Sequence, residues 1–139
     1  MTCLTLRFAE TLIDAALKKG RELELAPLTV AVLDAGGHLV ALKREDHSGI
    51  FRVEIASGKA YGALGMGFDS RELGERSQKM PVFFGALAAA SGGRMVPVAG
   101  GVLIRDADNH VVGAVGISGD TSDNDEVCAI AGIGAAQAR

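Results

Sequence analysis

Two stretches of this chain constrain its fold more than anything else in it. "LTVAVLDAGGHLVALKRED", from residue 28, and "GVLIRDADNHVVGAVGISG", from residue 101, each set aliphatic runs on both sides of a short polar turn. Runs of that kind flanking Gly, Asn and Asp read as β-hairpins, and in the first the glycines of "DAGG" supply positive φ. The two share Asp-Ala-x-x-His and then (Leu/Val)-Val, which puts His38 and His110 beside the turns. Two hairpins needing the same turn chemistry suffice for that echo, without a duplication. The second hairpin keeps Val and Ile on both faces, so it is expected to be a central strand pair.

Helical signals lie around the hairpins. Residues 5–19 carry Phe8, Leu12, Ala15 and Ala16 at helical spacing, with Lys18 and Lys19 at the negative end of the dipole and Gly20 as a stop. Residues 50–66 place Phe51, Ile55, Ala56, Ala60 and Ala63 on one side, an Ala/Gly-faced helix suited to lying close on a sheet. "DSREL" opens a short helix, Asp69 and Glu72 having capping-box spacing. Residues 81–95 read either as an Ala-rich helix or as a loop, and a last helix starts near Ser122. The order is helix, two strands, two helices, two or more strands, helix. It is an α+β arrangement, an antiparallel sheet with helices on its faces.

A length of 139 residues fits one domain, 1–139. Aromatics are only 4% and Trp is absent, so Val, Ile, Leu and Ala must build the core. A net charge of −3 without a basic stripe argues against nucleic acid. The start "MTCLTLRFAE" lacks the pattern of a signal peptide, and "VFFGALAAASGG" is too short to span a bilayer. Cys3 and Cys128 have no metal-ligand spacing, so no metal site is expected. A cytoplasmic protein with free thiols is the expectation. Sparse aromatics and Ala/Gly-rich helix faces leave apolar surface to hide, so a homo-oligomer is expected.

The acidic stretch "GISGDTSDNDEVCAIAG" invites a metal or catalytic reading. Counting from Asp120 or Asp123, the Gly and Glu of an EF-hand loop are missing. Gly116–Asp120 also lacks the last Gly of a nucleophile elbow. Ser122 and Asp125 have capping spacing, and carboxylates in a first helical turn complement the dipole. A glycine-rich strand exit feeding a helix still aims amides at open space, which makes Ser118, Gly119 and Asp125 candidate ligand contacts.

His47, in "KREDHSGIF", follows a strand and precedes a helix, with Arg44 beside it. It is either a solvated loop residue or one that orients a ligand. Lys59, among small residues, either snorkels outward or meets a ligand carboxylate.

Taken together, "VAVLDAGGHLVALKR", the Ala56–Ala60 "A-x-x-KA", "SREL", the "GG" at 100–101, "VVGAVGISG" and "DNDEVCAIAGI" resemble the GlcG/HbpS-like family over nearly the whole chain. Its members include haem-binding proteins and the C-terminal domain of PduO-type corrinoid adenosyltransferases. The resemblance implies a profilin-like α/β/α architecture, with an antiparallel, roughly five-stranded sheet in a homo-oligomer. It also implies a ligand pocket near Gly100, Gly101, Ser118 and Gly119. Two departures stand out. "VPVAGGVLI" replaces a Pro-rich "PxPGGxP", and "REDHSG" replaces "RMDGA", which makes His47 particular to this chain.

Two readings follow. The first is a small-ligand-binding protein for haem or a related tetrapyrrole, with His47 as the candidate axial ligand. The second is a small acid–base enzyme acting on a hydroxy acid or an enolisable carbonyl compound. There Arg44 or Lys59 would hold a carboxylate, and His47 or an acidic residue would move the proton.

Overall fold

The computed structural model describes residues 3–138. The elements run α1 (Leu6–Glu22), β1 (Thr29–Asp34), β2 (Leu39–Arg44), α2 (Arg52–Met66), α3 (Ser70–Lys79), α4 (Pro81–Ala90), β3 (Gly101–Arg105), β4 (Val111–Ser118) and α5 (Ser122–Gln137). The strands form one antiparallel sheet in the order β2-β1-β4-β3. Five helices flank it. Four strands are seen among the described residues where the family resemblance implied about five. The segment 94–100 ahead of β3 is not a strand: the Val96 amide donates to the Gly58 carbonyl of α2 at 3.1 Å, and the Gly100 carbonyl accepts from the Ile117 amide of β4 at 3.0 Å.

Both hairpin turns are built alike. Asp34 Oδ1 accepts from the amides of Gly36 and His38, and Asp106 Oδ1 from those of Asp108 and His110. The left-handed position is filled by Gly37 in one turn and by Asn109 in the other. The shared sequence is therefore shared turn chemistry.

One sheet face carries the larger core, where Val30, Val32, Ile104, Val115 and Ile117 meet Leu12, Ile13 and Ala16 of α1 and Cys128 and Ala129 of α5. Gly132 lets the helices close, since a Cβ there would sit 2.7 Å from the Leu12 carbonyl. Against the other face lies α2, through Ala60 and Ala63 on Leu33, Leu103 and Ala114. At Gly116 a side chain would run into the Ala56 carbonyl, so only glycine admits the helix this close.

The second hairpin is not the central pair. β4 is central, but β3 is an edge. Its residues are buried by the cores on the two faces, Val102 and Ile104 in the larger and Leu103 in the smaller, while the start of α3 covers its free edge. Ser70 Oγ accepts from the Gly101 amide at 2.7 Å, and Asp69 accepts from the Leu103 amide at 2.9 Å. Asp69 is the N-cap of α3 by position, yet its carboxylate serves the sheet edge and not its own helix.

The ambiguous 81–95 segment contains the helix α4. It rests on α3, and Phe84 is its only buried residue. Val82 is 88% exposed, and Met80 and Phe83 are also open.

Candidate functional site

Pressing α2 onto the sheet carries Lys59 into the interior. Its ammonium donates to the Ile117 carbonyl at 2.8 Å and to Asp125 Oδ2 at 3.2 Å. The other oxygen of Asp125 accepts from the Asp120 amide at 3.0 Å. Gly100 and Gly101 make room, because side chains there would strike Lys59. Burial pushes the Lys59 pKa down and that of Asp125 up, while each partner's charge pulls the other back toward ionisation. Lys59 thus does not snorkel outward; its charge is paired with Asp125 in the interior.

The cap of α5 also differs from expectation. Thr121 is the N-cap, its hydroxyl accepting from the Asn124 amide at 3.2 Å, and Ser122 is the first helical residue. Asp125 is one turn too far in to cap. Gly119, at φ 152°, passes so close to Pro27 and Leu28 that a side chain would collide with their backbone.

A second polar cluster lies where β1, β2 and β4 meet the start of α2. Thr29 pairs in register with Arg44 on one side and Ser118 on the other, so the three share a sheet face. Thr29 Oγ1 and the buried Ser48 Oγ are 2.7 Å apart. Arg44 Nη1 donates to the Ser48 carbonyl at 2.9 Å, and Arg52 Nη1 donates to the buried Ser118 Oγ at 3.0 Å. Burial is the first cause of the lowered Lys59 pKa, and the charge of Arg52 adds a smaller push in the same direction. Arg52 was not among the sequence candidates. Its partner is 66 residues away, and no local pattern announces it.

His47 is exposed in the loop between β2 and α2, at φ 70°. The resemblance implies a glycine at this place, and a left-handed backbone is one that glycine suits. The other two imidazoles stand beside their own turn carboxylates, at 3.1 Å for His38 and 3.8 Å for His110. His47 has no such partner among the described residues. Next to it in the chain, Ile50 is 85% and Phe51 73% exposed.

A groove of about 420 Å³ is lined by Arg21, Pro27, Arg44, Glu45 and Asp46. A more apolar hollow of about 290 Å³ lies along α2, lined by Val53, Ile55, Gly58, Arg94 and Val96 among others. Arg94 is pinned there, its guanidinium 3.6 Å above the Tyr61 ring. For a metal, the described residues offer one grouping. Asp106, Asp108 and His110 bring ligand atoms within 4.8 Å of one another on the exposed second turn.

The candidates therefore divide in two. Lys59, Asp125, Gly100 and Gly101 form a closed interior lock, which Gly119 adjoins. Arg44 and His47 lie at the outer end of the sheet, where buried Ser118 flanks Thr29 opposite Arg44 and accepts from Arg52.

Comparison with known proteins gives a consistent result. A family model described as "Haem degrading protein HbpS-like" matches residues 4–134. A curated relative from Citrobacter freundii, "Uncharacterized 15.0 kDa protein in dhaT-dhaS intergenic region", is 29% identical over 126 residues, covering 91% of this chain and 87% of that one. Among solved structures, a PduOC:haem complex matches with a TM-score of 0.86 at 27% identity, covering 96% of this chain and 94% of that one. Klebsiella pneumoniae ORFY matches with a TM-score of 0.90 at 25% identity, covering 100% and 94%. A double mutant of Streptomyces reticuli HbpS matches with a TM-score of 0.82 at 27% identity, covering 96% and 87%.

Proposed function

The chain belongs to the HbpS-like family, and from that premise we propose that it binds haem or a related tetrapyrrole. The observation that carries the reading is His47. An imidazole without a carboxylate partner among the described residues, held at a left-handed backbone position, stands in the same β2–α2 connection as exposed Ile50 and Phe51, between the cations Arg44 and Arg52 in the chain. A tetrapyrrole asks for those features, an axial nitrogen, an apolar surface and positive charge for its acidic edge. The solved PduOC relative, of closely similar fold, is in complex with haem. When bound, haem would supply its iron as an acceptor for the imidazole. His47 would hold it, and Ile50 and Phe51 would keep water from one side.

The working form in this proposal is a homo-oligomer of a single-domain chain, 1–139, in the cytoplasm, where Cys3 and Cys128 remain free thiols. The apolar helix α4, which rests on α3, is the surface a second copy would cover. A profilin-like sheet with a fifth strand would draw that strand from residues 94–100. An acid–base activity would have to use His47 with Arg44, because Lys59 and Asp125 are engaged with each other. Adding haemin to the purified protein and recording the absorbance spectrum tests the binding proposal. A saturable Soret shift supports it, and the spectrum of free haemin at every protein concentration rejects it.

A further inference from the structure

How Arg44 and Arg52 would meet the acidic edge of a ligand follows from their present partners. Arg44 and Arg52 donate only to neutral oxygens, the Ser48 carbonyl and Ser118 Oγ. Arg21, Lys43, Lys59, Arg71 and Arg76 each have a carboxylate within reach, whereas among the described residues neither of these two does. Of the carboxylates beside them in sequence, Glu45 is taken by Arg21 and the Leu28 amide, and Asp46 and Glu54 are exposed to solvent.

The placement of the pair is fixed by the sheet. Arg44 and Ser118 flank Thr29 in register, two strand spacings or about 10 Å apart, and point to the same face. Arg52 reaches that row from the first residue of α2, a helix start that no side chain caps. Each guanidinium is held by one nitrogen, which leaves the remaining N–H groups of its fork for a planar anion.

We infer that Arg44 and Arg52 form a two-point carboxylate site, one guanidinium for each carboxylate of a dianionic ligand. This rests on the proposed binding function and names the chemistry it recognises. The two carboxylates come either from the propionates of haem or from a free dicarboxylic acid. A bidentate guanidinium–carboxylate contact supplies both charge and orientation, so a ligand with its acids masked loses both.

The test compares haemin with its dimethyl ester, in which the propionates are blocked, and uses succinate as the free dicarboxylate. Each is titrated into wild type, Arg44→Gln and Arg52→Gln, with melting temperatures recorded alongside; Arg44 is exposed, so its variant keeps the test open if Arg52→Gln folds poorly. Haemin should bind wild type at least about tenfold tighter than the ester, as loss of charged hydrogen bonds implies. That preference should shrink in both variants. Equal affinity of wild type for haemin and the ester overturns the arginine site and leaves haem binding standing. If haemin fails to bind while succinate raises the melting temperature of wild type but not of the variants, the arginine site stands and the haem proposal falls. If neither ligand binds, both fall.

Discussion

Lys59 Nζ lies 3.2 Å from Asp125 Oδ2 with 3% and 1% of the two side chains exposed, and the contact ties α2 to α5 across the end of β4. Two charges taken from water are held only because each satisfies the other and the Ile117 carbonyl and Asp120 amide take up further hydrogen bonds. Removing one partner leaves an uncompensated buried charge. Asp125→Ala should therefore destabilise the protein by about 3–5 kcal/mol in urea unfolding at neutral pH. The double variant Lys59→Met/Asp125→Leu should be less destabilised than the sum of its single changes. A loss below about 1 kcal/mol in Asp125→Ala would show that the pair does not lock the helices.

The cap of α5 separates two adjacent hydroxyls. Thr121→Ala should lower stability by about 1 kcal/mol, and Ser122→Ala should stay within about 0.5 kcal/mol of wild type. Denaturant midpoints read the difference directly. The reverse order would restore Ser122 as the cap.

Gly116 is a position where backbone meets backbone. An added methyl faces the Ala56 carbonyl, which no rotamer can move aside. Gly116→Ala should cost about 3 kcal/mol or more by forcing α2 off the sheet. Gly65, on the same helix α2 with open space around it, is the control and should tolerate alanine.

How far the sequence revealed this molecule depended on how local each determinant is. The hairpins were legible because Asp34 and Asp106 each organise a turn with amides two and four residues on. The close approach of α2 was legible in its alanines and glycines. The sequence does not decide α4, because "PVFFGALAAA" is apolar all round and its pattern has no period to read. The α5 cap falls on Thr121 and not Ser122, and the Asp120 beside it accepts from the Ala26 amide 94 residues earlier, a contact no local pattern announces. Lys59 with Asp125, and Arg52 with Ser118, are each 66 residues apart, and only the sheet brings them together. His47 was singled out from its neighbours, but the left-handed backbone that makes it unusual is visible only in the structure.

Acid should weaken the fold through its turn and cap aspartates. Asp120 is held below the ordinary 3.8 first by the Asn124 side chain and then by the Ala26 and Thr121 amides; Asp34 and Asp106 are held down first by the amides of His38 and His110. A carboxyl with a lowered folded-state pKa stabilises above its unfolded value and loses that contribution as pH falls through its folded value. Melting temperature should therefore drop as pH is taken below about 4. Asp120→Asn should flatten part of that drop. An unaltered acid profile in the variant would remove Asp120 from the explanation.

The central claim is that His47 serves a ligand and not the fold, and His47→Gly tests it most directly. Glycine relieves the left-handed backbone at φ 70° while deleting the imidazole. The variant should be more stable than wild type by about 1 kcal/mol. Titrated with haemin, it should also lose the Soret shift that wild type develops. A variant that keeps the wild-type Soret shift, or one that loses stability, would contradict the assignment of His47 to the haem site.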